Sequence, residues 1–346
     1  MLSYVARRIL FLPVVVFGVT LLIFVMMQFI DPYKRLSLYV NENVMAHLTT
    51  TEQWEELLHN YGLDRPVWVQ YASWMNGLFH GKLGYSPSAQ MEVGAAIKKF
   101  LPATAELALL SVLPIILIAV KLGVFSAVHQ DTLADHTTRI VAITGWSIPT
   151  FVMGLSLLLI FYGWLGIFPP QRLSTWTIPL LRSGAIVRYT GMMTIDALLN
   201  GNWRLFVDAI SHLVLPIITL SYISWAMILR VARSSMLETL RQDYITTARA
   251  KGLKERVVIN KHAKRNAMIP VITLAGMTVA GLMGGVVITE TIFNLPGLGR
   301  FAAKAAQTLD VPAILGFAMF NGVLMVTANL VVDVMYAVID PRIRLD

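Results

Sequence analysis

The chain has 346 residues, of which 56% are hydrophobic and 14% are charged, and its formal net charge is +8. A soluble globular domain carries about 25% charged residues, so this composition, with its charges clustered between long apolar stretches, indicates a polytopic membrane protein. The basic residues flank apolar segments, which bilayer orientation explains better than nucleic-acid binding does, and a sequence without cysteine excludes disulfides and cysteine-ligated metal.

The first apolar stretch runs from Ile9 to Ile30 and follows the pair Arg7-Arg8. It is longer than the apolar core of a cleavable signal peptide, so residues 1–30 are predicted to form an uncleaved spanning helix. Five further segments approach the roughly 20 apolar residues that a bilayer core requires. The sequence therefore predicts an all-α integral membrane protein with six transmembrane helices, the other five at residues 102–128, 140–168, 212–234, 267–290 and 312–338.

Residues 31–101 are predicted to form an outward-facing helical insertion. One helix begins at Thr51 and ends at Gly62, and Pro66 suits the first turn of a second helix. That second helix places four apolar residues on one face, Val67, Tyr71, Trp74 and Leu78. We expect the two helices to pack on each other and on the membrane surface, as a cap without a ligand site. The second outward connection, residues 169–211, is expected to be irregular with short helices.

The loop at residues 236–267 carries eight basic and three acidic residues, which indicates a cytoplasmic location. The basic residues at the two ends of the chain place both termini, including the tail 339–346, on the same side. These orienting residues are Arg241, Arg249, Lys251, Lys254, Arg256, Lys261, Lys264 and Arg265 in the loop, and Arg7, Arg8, Arg342 and Arg344 at the ends.

The local pattern within this loop predicts a short helix that Gly252 ends, and then a second helical stretch to Asn266. The chain returns to the membrane at Pro270. Small residues in the first helix would let another protein surface approach closely, and the flanking charges would fix its register. On charge alone, a solvated loop that only sets topology is the favoured interpretation, because such loops are common.

The order of residues in this loop resembles the conserved cytoplasmic EAA loop of ABC importer permeases, in its dipeptide/oligopeptide-family form. The matching pieces are Asp243-Tyr244, Thr247-Ala-Arg-Ala-Lys-Gly252-Leu253, His262-Ala263, Arg265-Asn266-Ala267 and Ile269-Pro270. Further pieces extend the resemblance over nearly the whole chain, among them Tyr61-Gly-Leu-Asp-Arg-Pro66, Leu101-Pro-Ala-Thr-Ala-Glu-Leu107, Glu290-Thr-Ile-Phe-Asn-Leu-Pro-Gly-Leu-Gly-Arg300 and Asp340-Pro-Arg-Ile-Arg344. The general pattern has a glutamate six residues before the glycine, where this chain has Thr246.

The resemblance implies the pore-forming half of a binding-protein-dependent importer in the plasma (inner) membrane of a prokaryote. Its implied partners are a second homologous permease, two ABC ATPases that hold ATP and magnesium, and an extracytoplasmic solute-binding protein; no cofactor is expected in this chain. The implied cargo is a di- or oligopeptide, and related systems carry oligosaccharides or nickel complexes. The residues that the resemblance assigns to ATPase coupling are Asp243, Tyr244, Thr246, Thr247, Ala248, Ala250, Gly252, Leu253 and His262.

Polar residues inside the predicted spans are candidates for the translocation path, because such residues usually face a protein interior or water. The candidates are Glu106, Asn321, Asn329 and Asp333, with Lys121 and Glu290 also in or near spans. The simpler alternative is structural pairing or snorkelling for the charges, and hydrogen bonding between helices for the asparagines.

Catalytic motifs are missing from the sequence, which has neither G-x-x-x-x-G-K-[ST] nor H-E-x-x-H, so we predict that the chain is not an enzyme. His129 and His136 flank Asp131 and Asp135, but the spacing fits no metal-ligand rule, and a solvated loop is the simpler interpretation. A secondary transporter is the alternative class. It would need a coupling-ion site near the midplane, and the spans lack central acids.

Overall fold

The computed structural model describes residues 2–40, 44–45 and 47–339, without the side chains of residues 2–9, 11–12, 37 and 332–339. Over this part of the chain the structure is mostly helical. Its β structure there is one antiparallel pair, β1 (Tyr85–Ser86) and β2 (Met91–Glu92), with Tyr85 opposite Glu92. The orienting residues Arg342 and Arg344 lie outside the described residues, as do the side chains of Arg7 and Arg8.

The amino-terminal part contains α1 (Leu2–Gln28), α2 (Pro32–Arg35) with a 3-10 turn (Leu36–Leu38), α3 (Thr51–Asn60) and α4 (Val67–Phe79). A capping box between Thr50 and Gln53 begins α3, and Gly62, with φ +66°, follows its end. Pro66, which is predicted to lie in the first turn of the second helix, is instead the N-cap of α4, one residue before the helix begins. Tyr71, Trp74 and Leu78 pack against α1 around Phe24, whereas Val67 is exposed. Helix α4 is thus held against α1.

The central part contains two long helices, α5 (Val93–Val128) and α10 (Trp203–Leu240), with shorter ones between them. These are α6 (Leu133–Ser147), α7 (Thr150–Leu157, continued by a π-helix, Leu158–Trp164), α8 (Thr177–Arg182) and α9 (Met193–Leu199). The carboxyl-terminal part contains α11 (Asp243–Ala250), α12 (Glu255–Val257), a π-helix (Val258–Ala263), α13 (Lys264–Ala267), α14 (Ile269–Met283), α15 (Val287–Ile292), α16 (Leu298–Gln307) and α17 (Val311–Ile339).

Three of the described helices are long and apolar enough to cross a membrane: Val93–Val128, Trp203–Leu240 and the part of α17 at Val311–Val331. Two bent pairs, Leu133–Ser147 with Thr150–Trp164 and Glu255–Ala267 with Ile269–Met283, bring the number to as many as five. The apolar part of α1, Pro13–Gln28, is shorter. The all-α membrane fold is confirmed, while the count of six spans stays a prediction.

Prolines are involved in two differences between the predicted and observed boundaries. The second span is predicted to begin at Pro102, but α5 begins at Val93 and continues through this proline. The carbonyl that Pro102 leaves without a helical partner belongs to Lys98, which is exposed. The predicted span 140–168 is instead bent by 99° between α6 and α7. There Ile148 takes an extended conformation, with φ −84° and ψ 122°, as the residue before Pro149 should.

The main core lies between α5 and α10, which pack along most of their lengths. Leu107 and Ile115 of α5 belong to one buried cluster with Leu215 and Leu229 of α10 and with Phe293. All five side chains are at most 2% exposed, so these two helices form one unit on which the remaining elements are placed.

Candidate coupling surface and membrane-buried charges

The segment after α10 folds as the sequence predicts, into a short helix, a glycine turn and a second helical stretch. Asp243 lies in the first turn of α11, where its carboxylate favours the helix dipole. Gly252 then adopts a left-handed conformation with φ +73°, and a Cβ there would meet no atom within 4 Å. The turn therefore needs glycine for its backbone conformation and leaves open space around it.

Helix α11 rests on a small apolar cluster at the ends of α5 and α10. Ile245 is fully buried and Ala248 is 7% exposed, and both pack with Met236 and Val258. Ala127, Ala263 and Ala267 complete this platform. Ala248, predicted to contact the ATPase, therefore points inward and supports α11 from below.

The opposite side of the segment is open to solvent. Tyr244 is 41% exposed and Leu253 is 40% exposed. The other predicted coupling residues on this side are also exposed, namely Asp243, Thr246, Thr247, Ala250 and Gly252, while His262 is half-buried. We call the exposed residues from Asp243 to Leu253 the coupling surface. Its role in ATPase contact stays a prediction.

Two polar contacts tie the coupling surface to the following helix. The Asn266 amide donates to the Tyr244 hydroxyl at 2.8 Å. Arg249 donates to both carboxylate oxygens of Glu255, at 2.6 and 3.1 Å, across the glycine turn. These hydrogen bonds from Arg249 hold the pKa of Glu255 below its usual range. The turn is thus tied to the stretch Glu255–Ala267 by side-chain hydrogen bonds on both of its sides.

A buried ion pair lies beside the platform, at the start of α6. Arg233 of α10 donates through Nε and Nη2 to the two carboxylate oxygens of Asp135, at 2.8 and 2.6 Å, and the Ser126 hydroxyl of α5 donates to the same carboxylate. Asp135 is fully buried. Its carboxylate is therefore committed to Arg233, and the described residues contain no group of three His, Cys, Asp or Glu that could hold a metal. The sequence did not single out Arg233, because it lies at the end of a predicted span.

Glu106, predicted for the translocation path, is instead a buried anchor. It is 2% exposed and accepts from Arg172 at 3.0 Å and from the Thr194 amide at 2.6 Å. Arg172 also donates to the Gly191 carbonyl at 2.7 Å. These contacts fasten the connection 169–211 to α5, so the structural alternative explains Glu106.

Glu290 has a comparable place in a second buried network. It is 1% exposed and accepts from the Thr104 hydroxyl at 2.7 Å and from the Arg300 amide at 2.8 Å. Thr104 in turn accepts from the Leu298 amide at 2.7 Å. Glu290 thereby holds the tight turn between α15 and α16 against α5.

The remaining path candidates share no common site. Asn321 is half-buried and donates to the Phe317 carbonyl of its own helix at 3.1 Å, whereas Asn329 is exposed. Asp333 lies in α17 with its side chain outside the described residues, and Lys121 is exposed on α5. Arg230 of α10 is a further charged residue in a predicted span, and the sequence alone did not identify it as a candidate. It is exposed, with its guanidinium 5.2 Å from the centre of the exposed Trp146 ring.

Comparison with known proteins places these features in a family. Residues 119–345 match the family described as binding-protein-dependent transport system inner membrane component, and residues 1–108 match the family of the amino-terminal part of such components. The chain is 42% identical over 290 residues to the probable D,D-dipeptide transport system permease protein DdpB of Escherichia coli K12, covering 84% of each chain.

Two further relatives align over nearly the full length. The dipeptide transport system permease protein DppB of Escherichia coli K12 is 37% identical, and the di/tripeptide transport system permease protein DppB of Pseudomonas aeruginosa UCBPP-PA14 is 38% identical, each over 99% of both chains. These matches confirm the resemblance that the motifs indicated. The chain belongs to the family of inner membrane components of binding-protein-dependent transport systems.

Proposed function

We propose that this chain forms half of the translocation path of an ABC importer for short peptides. Membership in the family makes it a multi-pass inner membrane permease, which is a non-enzymatic transport component that works with ATPase and solute-binding partners. The proposal adds the cargo, a second homologous permease, two ATPases and a cytoplasmic location for both termini and the coupling surface. Relatives named for dipeptide and di/tripeptide transport support the cargo.

The main support for the coupling proposal is that α11 exposes one side to solvent and packs its other side on the buried platform. An ATPase that contacts the exposed side of α11 would push on Ile245 and Ala248, which lie directly beneath. The same cluster contains Ala127 near the end of α5 and Met236 near the end of α10, so a push there reaches both long helices. ATP-driven closure of the ATPases then tilts these helices as rigid bodies, which is the motion that alternating access requires.

Replacing Gly252 with leucine tests this coupling. The substitution strains a left-handed turn and projects a side chain into the open space where the ATPase would sit. We expect ATP-dependent uptake by the reconstituted complex to fall at least about tenfold, which corresponds to roughly 1.4 kcal/mol of lost coupling. The complex should remain assembled in the membrane.

Gly184→Leu is the matched control. Gly184 has φ +74°, is equally open, and lies in the outward connection 169–211. It carries the same backbone strain away from the coupling surface, so ATP-dependent uptake by its complex should fall less than uptake by the Gly252→Leu complex. Unchanged ATP-coupled uptake in the Gly252→Leu variant would count against the coupling surface.

Cargo is tested with the complete complex in proteoliposomes that contain trapped ATP, supplied with its solute-binding protein. Uptake of labelled di- and tripeptides is expected, against oligosaccharides and nickel complexes as the other cargo classes. Uptake of oligosaccharide or nickel without peptide uptake would overturn the cargo proposal. Uptake driven by an ion gradient, without ATP or partner subunits, would favour a secondary transporter.

A further inference from the structure

A cavity of about 990 Å³ lies at the outward side of the protein, between the insertion and the last helix. Its walls come from α4, from the first turns of α5 and from α17. Lys82, Lys98 and Glu92 line it, and Tyr39 and Tyr61, whose rings stack 5.4 Å apart, add an aromatic wall. The volume is at the upper end of the range for small-molecule sites in proteins.

The cavity continues downward as an apolar space. Its lining on α17 includes Met319, Phe320 and Val323, and the last of these lies twelve residues after the helix start at Val311. Gly316 packs against Val93, about one turn before Lys98. The seven residues from Gly316 to Val323 correspond to about 10 Å, which reaches the outer part of a hydrocarbon core. Met319 and Val323 also line a narrow crevice between α1 and α17. A peptide backbone would find few hydrogen-bonding partners there, whereas an acyl chain needs none.

The neighbouring face of α5 has the pattern of a lipid-facing helix. Leu109, Leu113 and Leu117 form an exposed ridge at four-residue spacing, with 46%, 61% and 54% exposure. Lys98 lies three turns before this ridge and Lys121 lies one turn after it, and both are exposed. Their separation of 23 residues corresponds to about 34 Å along a helix, close to the thickness of a bilayer core. Lys98 is thus at the level of the outward-leaflet headgroups.

The charges at the mouth favour an anion. Lys82 and Lys98 form no ion pair with a carboxylate in the part of the chain that the structure describes. With Glu92, the mouth carries one excess positive charge, which a phosphodiester would neutralise. Glu92 can accept a hydrogen bond from a hydroxyl of the headgroup.

We propose that this cavity binds an anionic glycerophospholipid of the outward leaflet, with its phosphate between Lys82 and Lys98. One acyl chain runs along Met319 and Val323 toward the crevice between α1 and α17. The bound lipid contacts α4, α5 and α17 together, and so fills the space between the insertion and the last helix.

Native mass spectrometry of the intact complex, purified with its partner subunits, tests this site with phosphatidylglycerol and phosphatidylethanolamine as probes. The native complex should retain phosphatidylglycerol in preference to phosphatidylethanolamine. The double variant Lys82→Gln, Lys98→Gln should bind phosphatidylglycerol on the order of tenfold more weakly, because it removes the two positive charges that attract the phosphate. Val323→Trp should release the lipid with both lysines in place, since the ring fills the path of the acyl chain.

Lys99→Gln is the control, because Lys99 neighbours Lys98 but has its ammonium 5.6 Å from the Phe100 ring and does not line the cavity. This variant should retain phosphatidylglycerol as the native complex does. Equal retention in the double lysine variant, or an equal loss in Lys99→Gln, would overturn the proposal. Displacement of the lipid by a dipeptide added without ATP would also overturn it, and would assign the cavity to the peptide route.

Discussion

Replacing Asp135 with asparagine should destabilise the membrane domain strongly. Asp135 is fully buried and accepts two hydrogen bonds from Arg233, one from the Ser126 hydroxyl and one, at 3.1 Å, from the Asp131 amide. Asparagine removes the negative charge and leaves the Arg233 guanidinium in place without its counterion. Asparagine also places an NH2 donor where one carboxylate oxygen accepted two hydrogen bonds, so the variant removes both the charge and part of the hydrogen bonding between α6 and α10.

The expected magnitude follows from the burial of the two partners. Removing one member of a buried ion pair costs about 3–5 kcal/mol, because the other charge is left uncompensated. The Arg233 side chain is 18% exposed, so water can reach part of the guanidinium and reduce that cost. We expect a loss of about 3 kcal/mol in the free energy of unfolding, at the lower end of the range for buried pairs.

A double-mutant cycle measures this coupling. The assay is unfolding of the purified permease in mixed micelles with increasing denaturing detergent, for Asp135→Asn, Arg233→Met and the double variant. The double variant should be less destabilised than the sum of the single variants by at least about 1 kcal/mol, because it leaves no unpaired charge. Additive losses, or a native-like unfolding curve for Asp135→Asn, would refute the reasoning.

Glu255→Gln is the control for that cycle. It breaks the Arg249–Glu255 pair, whose closest contact is also 2.6 Å but whose side chains are 45% and 53% exposed. An exposed pair of this kind contributes less than about 1 kcal/mol. A clear difference between the two substitutions would show that burial, and not the contact distance, sets the cost.

Two further predictions concern the buried networks on α5. Gly297→Ala should lower the thermal stability of the complex, because the added Cβ would meet the Glu290 carboxylate, whereas Gly281→Ala should not, since a Cβ there meets nothing within 4 Å. Differential scanning fluorimetry of both variants compares them, and equal melting temperatures would contradict the prediction. Glu106→Gln should loosen the connection 169–211, so limited trypsin digestion at the exposed residues Arg182 and Arg188 should accelerate several-fold, and an unchanged digestion rate would contradict the anchoring role.

The sequence predicts those parts of the fold that depend on local chemistry. Long apolar runs predict the membrane helices, and Gly252 predicts the turn because few other residues adopt its left-handed conformation. The bend at Pro149 could also have been predicted, because the residue before a proline avoids the helical conformation. Hydropathy alone could not separate two bent apolar helices from one straight span.

Roles that depend on a distant partner could not be predicted. From the sequence, Glu106 is a candidate for the translocation path. In the structure its carboxylate oxygens accept hydrogen bonds from Arg172 and from the Thr194 amide, which are 66 and 88 residues away in the chain. From the sequence, Ala248 is a candidate for contact with the ATPase, whereas in the structure it lies on the buried side of α11 with Met236. In each case the side chain alone is ambiguous, and only the tertiary contact decides between an exposed functional role and a buried structural one.

The buried polar contacts give the proposed push on the coupling surface a route along α5. Helix α5 contributes Ser126 to the Asp135–Arg233 pair at one end, and Glu106 and Thr104 to the networks at the other, about 30 Å away by helical rise. Helix α5 is continuous through Pro114 between these two sets of contacts, and it is also packed along α10. Under the proposed coupling, we expect movement of the platform under α11 to carry the connection 169–211 and the Glu290 turn with it, as in a rigid-body transition.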